Sequence, residues 1–389
     1  MNAKPLLTLK ESSLLRSLNR EVNTLEREQS LPVIGSRPLS LGFDISNVCN
    51  CKCIFCLAES GRKRHSEPDA FRTPDWLDHF EPLLPFINLG IFSSFEAVLN
   101  PHFDEFVMRL YRYRTPFEVF TNGKAVTPEL SEYMLERGLQ SMHCSVHGAK
   151  PKTYEAIMQG NTFSKTLENL MALKHHASKI NPNFTLILVF CAMRRNIGEL
   201  MDYVDLARRV GARVIQVNYL LVTKENSGLD QEAMCFHPLM YDKVVSMARQ
   251  KAAGMGIILN HQPLFTTYQS NHTIEPCYRP WSHLNVSSTG SIQVCCGGSP
   301  VVGNMFDSDF FNLWNNEHFQ QFRSTVNGSH PPAACKVCSR GRENPWHIGA
   351  HLTYMKHWDA TRIKDRLGAL GISVPAPVII GSTEALAVA

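Results

Sequence analysis

Four cysteines fall within eight residues, Cys49-Asn50-Cys51-Lys52-Cys53-Ile54-Phe55-Cys56, and no other feature constrains the chain as strongly. The chain has 12 cysteines in 389 residues, about 3%, well below the density of a secreted disulfide scaffold. Five more lie in the last third, at Cys277, Cys295, Cys296, Cys335 and Cys338. In a reducing compartment, thiolates two or three residues apart on one loop converge on a metal ion or cluster rather than pairing as disulfides. Cys49, Cys53 and Cys56 form a C-x3-C-x2-C set of three close ligands, whereas a structural zinc site uses two separated pairs. Three thiolates on a four-iron cluster leave one iron open to a small-molecule ligand. Zinc with Cys51 as fourth ligand is the alternative, and buried free cysteines are a third reading.

Charge and hydropathy exclude other classes. Lys and Arg number 39 against 35 Asp and Glu, a net charge of +4, and no block of five like charges occurs, so nothing points to nucleic acid. The longest strongly apolar run, Leu186 to Met193, falls short of the ~20 residues that span a bilayer. Lys4, Lys10, Glu11 and Arg16 interrupt the N-terminus where a signal peptide needs an apolar stretch. The expectation is a cytoplasmic protein with neither a membrane nor a nucleic-acid partner.

Strand-like runs at 39-45, 87-93, 116-121, 139-146, 184-191 and 213-222, with a weaker seventh at 256-260, alternate with helical ones. This alternation predicts a parallel sheet. Thr127-Pro128 opens a helix containing Leu130 and Met134, with Gly138 beyond its end; Asn196 and Glu199 are read as a cap on a second helix carrying Ile197, Leu200, Met201 and Val204. Upstream, Leu14, Leu18, Val22 and Leu25 form the apolar stripe of a helix expected to pack against the main domain.

Cys49-x3-Cys53-x-Phe55-Cys56, directly after the strand-like Leu39 to Ile45, resembles the signature of the radical S-adenosylmethionine enzymes. In that family the amine and carboxylate of S-adenosylmethionine chelate the open iron, and an electron from the cluster yields a 5'-deoxyadenosyl radical that abstracts a substrate hydrogen. The resemblance implies an α/β fold, a partial (β/α)6 TIM-like barrel with its site at the C-terminal ends of the strands. By position, Cys49, Cys53 and Cys56 become cluster ligands and Phe55 the aromatic beside the adenine, while Cys51 stays structural. Ser93-Ser94-Phe95-Glu96-Ala97 stands where relatives show Gly-Gly-Glu-Pro, keeping Glu96 near the cofactor's amino group. Phe120-Thr121-Asn122-Gly123 and Ser145-Val146-His147-Gly148 match the ends of strands three and four, giving Asn122 and Ser145 as cofactor contacts; strand-end capping and turn formation is the other reading of both. His147 replaces an aspartate there. The arginine that follows Tyr-Glu in relatives is absent from Tyr154 to Met158, leaving the partner of the cofactor carboxylate unassigned.

The later cysteines resemble the C-terminal SPASM extension, most closely its shortened twitch form, a small α+β domain. A hairpin of 284-287 and 291-294 about Ser288-Thr289-Gly290 is expected to bring Cys277 and Cys295 together; with Cys335 and Cys338 they would hold one auxiliary 4Fe-4S cluster. Gly303-Asn304, Phe311, Trp314, Phe319, Phe322 and Arg323 resemble the helix between the cysteine pairs. A four-cysteine zinc ribbon is the alternative. The implied domains are an N-terminal helical extension (1-38), the radical core (39-265), the auxiliary-cluster domain (266-350) and a loosely packed C-terminal tail (351-389). Arg62 to His65 reads as a solvated loop, Cys296 as a bystander, and Cys144, Cys191 and Cys235 as buried apolar residues. His143 and His147 lie four apart on a strand, roughly 13 Å, too far to share an ion; His347 and His351 lack the glutamate of a zinc-protease helix.

The expected function is hydrogen-atom abstraction, with S-adenosylmethionine and two 4Fe-4S clusters as cofactors, a small molecule as substrate, and a reductase, flavodoxin or ferredoxin as electron donor. Oxidation by dehydrogenation is the preferred outcome, the auxiliary cluster taking the electron. Modification of a ribosomal peptide is the alternative, weakened by only 38 residues before the first strand where peptide-recognition domains occupy roughly 80. Epimerisation, with Cys235 returning the hydrogen atom, is another, and a non-catalytic zinc protein the remaining one.

Overall fold

A computed structural model describes residues 4–56, 72–222, 226–266, 276–295, 300–332, 335, 365 and 368–371. The strands are β1 (Ser40–Phe43), β2 (Lys52–Cys53), β3 (Leu89–Phe92), β4 (Phe117–Thr121), β5 (Leu139–Ser145), β6 (Met158–Gln159), β7 (Thr185–Ala192), β8 (Val214–Tyr219), β9 (Ile258–His261), β10 (His283–Val286), β11 (Ser291–Gln293) and β12 (Val301–Asn304). The helices are α1 (Leu9–Glu28), α2 (Phe103–Arg112), α3 (Pro128–Glu136), α4 (Pro151–Ile157), α5 (Phe163–Ile180), α6 (Leu200–Val210), α7 (Pro238–Gly254), α8 (Arg279–Ser282), α9 (Phe310–Trp314) and α10 (Glu317–Thr325). All strands but β2 and β6 form one sheet, ordered β12-β11-β10-β1-β3-β4-β5-β7-β8-β9. From β10 to β9 every pairing is parallel. All seven predicted strands are present, the weakest as the edge strand β9.

The outer face is the core. Phe43, Phe92 and Phe117 meet edge to face or tilted, and Trp76, Phe80 and Phe103 close over them. Side chains alternate across a strand, so Glu118 and Phe120, Ser141, His143 and Ser145, and Gln216 and Asn218 point inward, and all are only half-buried. Parallel sheets covered on both faces are apolar on both; a polar, partly accessible inner face marks an open lumen.

The hairpin expected in the auxiliary domain forms, with Gly290 at φ +80°, and it continues the barrel's own sheet, because β10 pairs in parallel with β1. Gly42 faces Asn285 in that pairing, and a Cβ on Gly42 would collide with Asn285 Oδ1. Ser40 Oγ lies 2.8 Å from His283 Nδ1. Burial pulls the imidazoles of His283 and His147 down to about 3. Both fold as neutral rings, so their contribution is complete above the unfolded value near 6.5 and is lost as pH falls below it, at about 1.4 kcal/mol per pH unit for each. His283→Gln should therefore lower the slope of stability against pH between 5 and 6.5 by up to about 1.4 kcal/mol per pH unit, measured by urea unfolding; an unchanged slope would refute the assignment.

Three local expectations are corrected. The stripe of α1 faces outward: Leu14, Leu18, Val22 and Leu25 are 56%, 50%, 45% and 57% exposed, while Ser12, Asn19 and Asn23 are buried. Asn19 donates to Arg37 O, and Asn23 to Ser36 Oγ and Trp281 O; unpaired backbone carbonyls at the docking surface select amides over leucines. Asn196 and Glu199 make no helix cap. Asn196 donates to His147 O and Cys191 O, and Glu199 accepts from Ala149 N, Lys150 N and Thr153 Oγ1, fastening α6 to the start of α4. The single helix expected around Trp314 is two, α9 and α10, separated where Asn316 caps α10 by accepting from Phe319 N. By contrast, Thr127 caps α3 as predicted, accepting from Leu130 N.

Candidate active site

The loop carrying Cys49, Cys53 and Cys56 leaves the C-terminal end of β1, and all three cysteines are half-buried. Its shape is imposed from several sides. β2 pairs with β6, so Cys53 lies opposite Met158, with their sulfurs 3.4 Å apart. Ile54 N donates to Ile157 O, Glu96 N to Val48 O, and Lys124 Nζ to both Asn50 O and Gly160 O. Cys51 is buried, and its hydrogen bond with Cys49 together with desolvation pushes its thiol far above the ordinary range.

Glu96 is the hub of the adjoining polar network. Its buried carboxylate accepts from Thr121 Oγ1, Asn122 N and Asn122 Nδ2, and burial raises it to about 7. Asn122 Nδ2 also donates to Asn50 Oδ1 at 2.7 Å and lies 3.8 Å from Cys49 Sγ. Glu96 and Asn122, expected as separate cofactor contacts, are thus one unit with the cysteine loop. Asn122 Oδ1 also accepts from Lys124 N, the bond that the turn-forming reading of this residue expects. Phe95 adopts φ +53°, a left-handed conformation that favours glycine, at the position where the family resemblance implies one.

Phe55 stands edge-on to His147, ring centroids 4.8 Å apart. Cys191 N donates to His147 Nδ1, so Nε2 carries the proton. Ser145 ends β5, half-buried at the same strand ends. Met158, at the end of the Tyr154 to Met158 run that lacks the expected arginine, is fully buried. Asn161, not singled out in the sequence, donates to Asn122 O and Tyr154 OH and closes the network from behind. His143 stacks on Phe120 instead of approaching His147.

Cys277, Cys295 and Cys335 are half-buried, and Asn327 fixes Cys277 by accepting from its N–H and donating to its carbonyl. Cys296, Cys338, the Arg62 to His65 run, His347 and His351 lie outside the described residues, as does nearly all of the expected tail. Cys144, Cys191 and Cys235 are buried, the last at 2% exposure in a tight turn. Soft thiolates suit iron-sulfur ligation. Among the described residues no three His, Cys, Asp or Glu side chains gather closely enough to clasp a single metal ion, and no helix is long and apolar enough to cross a membrane.

Residues 43–207 match the radical SAM superfamily profile, and residues 277–339 match SPASM, an iron-sulfur cluster-binding domain. The second match begins at Cys277. The mycofactocin maturase MftC of Mycobacterium ulcerans is 27% identical over 77% of this chain and 80% of its own. The AdoMet-dependent heme synthase of Methanosarcina barkeri is 25% identical over 77% and 88%, and the PqqA peptide cyclase of Rhizobium meliloti 20% identical over 81% and 83%. Among solved structures, Streptococcus suis SuiB bound to S-adenosylmethionine aligns with a TM-score of 0.60 at 14% identity, covering 82% of this chain and 74% of that one; it shares the fold.

Proposed function

Belonging to the radical SAM superfamily and carrying a SPASM iron-sulfur cluster-binding domain, this chain, we propose, modifies a peptide by abstracting a hydrogen atom from an unactivated C–H bond. The observation that carries this reading is similarity along most of both chains to a maturase and a peptide cyclase. It displaces the small-molecule dehydrogenation expected from the sequence. The heme synthase, similar over a comparable span, keeps a small-molecule substrate as the second reading.

S-adenosylmethionine and its four-iron cluster, when bound, supply a 5'-deoxyadenosyl radical. Cys49, Cys53 and Cys56 would ligate that cluster, and Cys277, Cys295, Cys335 and Cys338 a single auxiliary one. Glu96 and Asn122 would receive the cofactor's amino end, Phe55 the adenine, and Ser145 the ribose or carboxylate. The half-open lumen would hold substrate and limit water around the reacting carbon. A cytoplasmic reductase, flavodoxin or ferredoxin would deliver the electron. Cys235, at 2% exposure, is assigned to packing rather than to hydrogen return.

The test is incubation of anaerobically reconstituted chain and reductant with short peptides encoded beside its gene. Production of 5'-deoxyadenosine together with a mass change confined to one peptide is expected. Cofactor cleavage stimulated only by a tetrapyrrole or another small molecule would refute the peptide reading.

A further inference from the structure

We propose that Glu118, with the Phe120 and His143 rings beside it, binds a cationic side chain of the substrate, a lysine or an arginine, inside the barrel. Glu118 and His143 lie on the inner faces of β4 and β5 and are 14% and 20% exposed. Ser141 Oγ donates to Glu118 Oε2 at 2.9 Å, and His143 Nε2 lies 3.5 Å from the same oxygen. Both neighbours crowd onto one oxygen. Among the described residues Oε1 has no hydrogen-bond partner, and no lysine or arginine pairs with this carboxylate. With Ser141 and His143 both on Oε2, Oε1 is left as the acceptor that an incoming cation would meet.

The surroundings define which cation. Phe120 and His143 stack with centroids 4.1 Å apart and planes 11° from parallel, forming an aromatic wall against which an alkyl stem can lie and a cationic head can be held. Glu118 is three residues before Thr121, so it sits about 10 Å below the strand ends that carry the Glu96–Asn122 unit. That depth matches an extended lysine or arginine side chain: with its head at Glu118, its backbone would emerge at the level of the cysteine loop. The lumen is otherwise neutral on these strands, with Gln216 donating to Asn218 Oδ1.

That the cation belongs to a peptide rests on the function proposed above; the cation site itself does not. Equilibrium dialysis of the full reconstituted chain with S-adenosylmethionine should show N-acetyl-lysine N-methylamide binding at least about fivefold more tightly than its norleucine counterpart. Glu118→Gln should abolish the preference while leaving iron content and S-adenosylmethionine affinity unchanged. Equal binding of the two probes to the wild-type chain, a comparison that needs no variant to fold, would overturn the proposal; so would a preference that survives in Glu118→Gln. If n-butylamine binds as tightly as the lysine probe and still depends on Glu118, the cation site stands and the peptide reading alone is weakened. If neither cation binds while a peptide is still modified, the cation site falls and the peptide reading stands.

Discussion

Replacing Cys49, Cys53 and Cys56 together by alanine is expected to halve the iron of the reconstituted chain, from on the order of 8 to about 4 per molecule, and to abolish cleavage of S-adenosylmethionine. The loss should be chemical rather than conformational. The loop is held by the β2–β6 pairing, by Lys124 on Asn50 O and Gly160 O, and by the backbone bond from Glu96 to Val48. None of these uses a cysteine side chain, so the circular dichroism spectrum should be unchanged. Cys51→Ala is the internal control: it lies outside the C-x3-C-x2-C spacing, and its side chain is buried. It should keep its iron and its activity. Persistent cofactor cleavage in the triple variant would remove these three cysteines from their role, and zinc in place of the remaining iron would exclude an auxiliary cluster.

The parts of this molecule legible in the sequence are those written locally. The strands announce themselves by short apolar runs between turn signals, and the Cys49–Cys56 loop by spacing. What escaped depends on partners distant in the chain. Glu96 and Asn122 were each visible beside a strand end, but their bond spans 26 residues and turns two separate contacts into one network. The α1 stripe misled because hydrophobic periodicity assumes that the docking surface is apolar, whereas this one offers the carbonyls of Arg37, Phe86 and Trp281. Asn19 and Asn23, four apart on one face, were the available signal. The parallel pairing of β10 with β1 joins residues some 243 apart, and no local pattern encodes it. Glu118, His143, Gln216 and Asn218 were legible in principle, as polar residues alternating with apolar ones in strands that a sealed parallel barrel would fill with hydrophobic side chains.

Arg323→Ala is expected to destabilise the chain by about 3–5 kcal/mol, among the largest effects available from a residue outside the cysteine sites. Arg323 is almost wholly buried in α10, donating from Nε to Pro280 O and from Nη1 to Pro32 O and Asn315 Oδ1. Its guanidinium lies 4.6 Å from the Trp314 ring centroid and 5.2 Å from that of Phe319. Desolvation lowers its affinity for a proton, a cost that the three hydrogen bonds and two rings must offset. Those partners belong to different parts of the chain. Pro32 lies in the segment after α1, where Trp314 Nε1 reaches Ser36 O and Trp281 Nε1 reaches Leu31 O; Pro280 lies in α8, which immediately precedes the strand that joins the barrel. Truncation strands the Pro280 and Pro32 carbonyls without a donor and leaves a void between two aromatic rings. Arg323→Lys keeps the charge but not the planar fork, so it should recover less than half of the loss. Urea unfolding of the reconstituted chain provides the measurement. A change below about 1 kcal/mol for Arg323→Ala would mean that the aromatic contacts and Asn315, which both donates to and accepts from Ile34, hold this junction without the guanidinium.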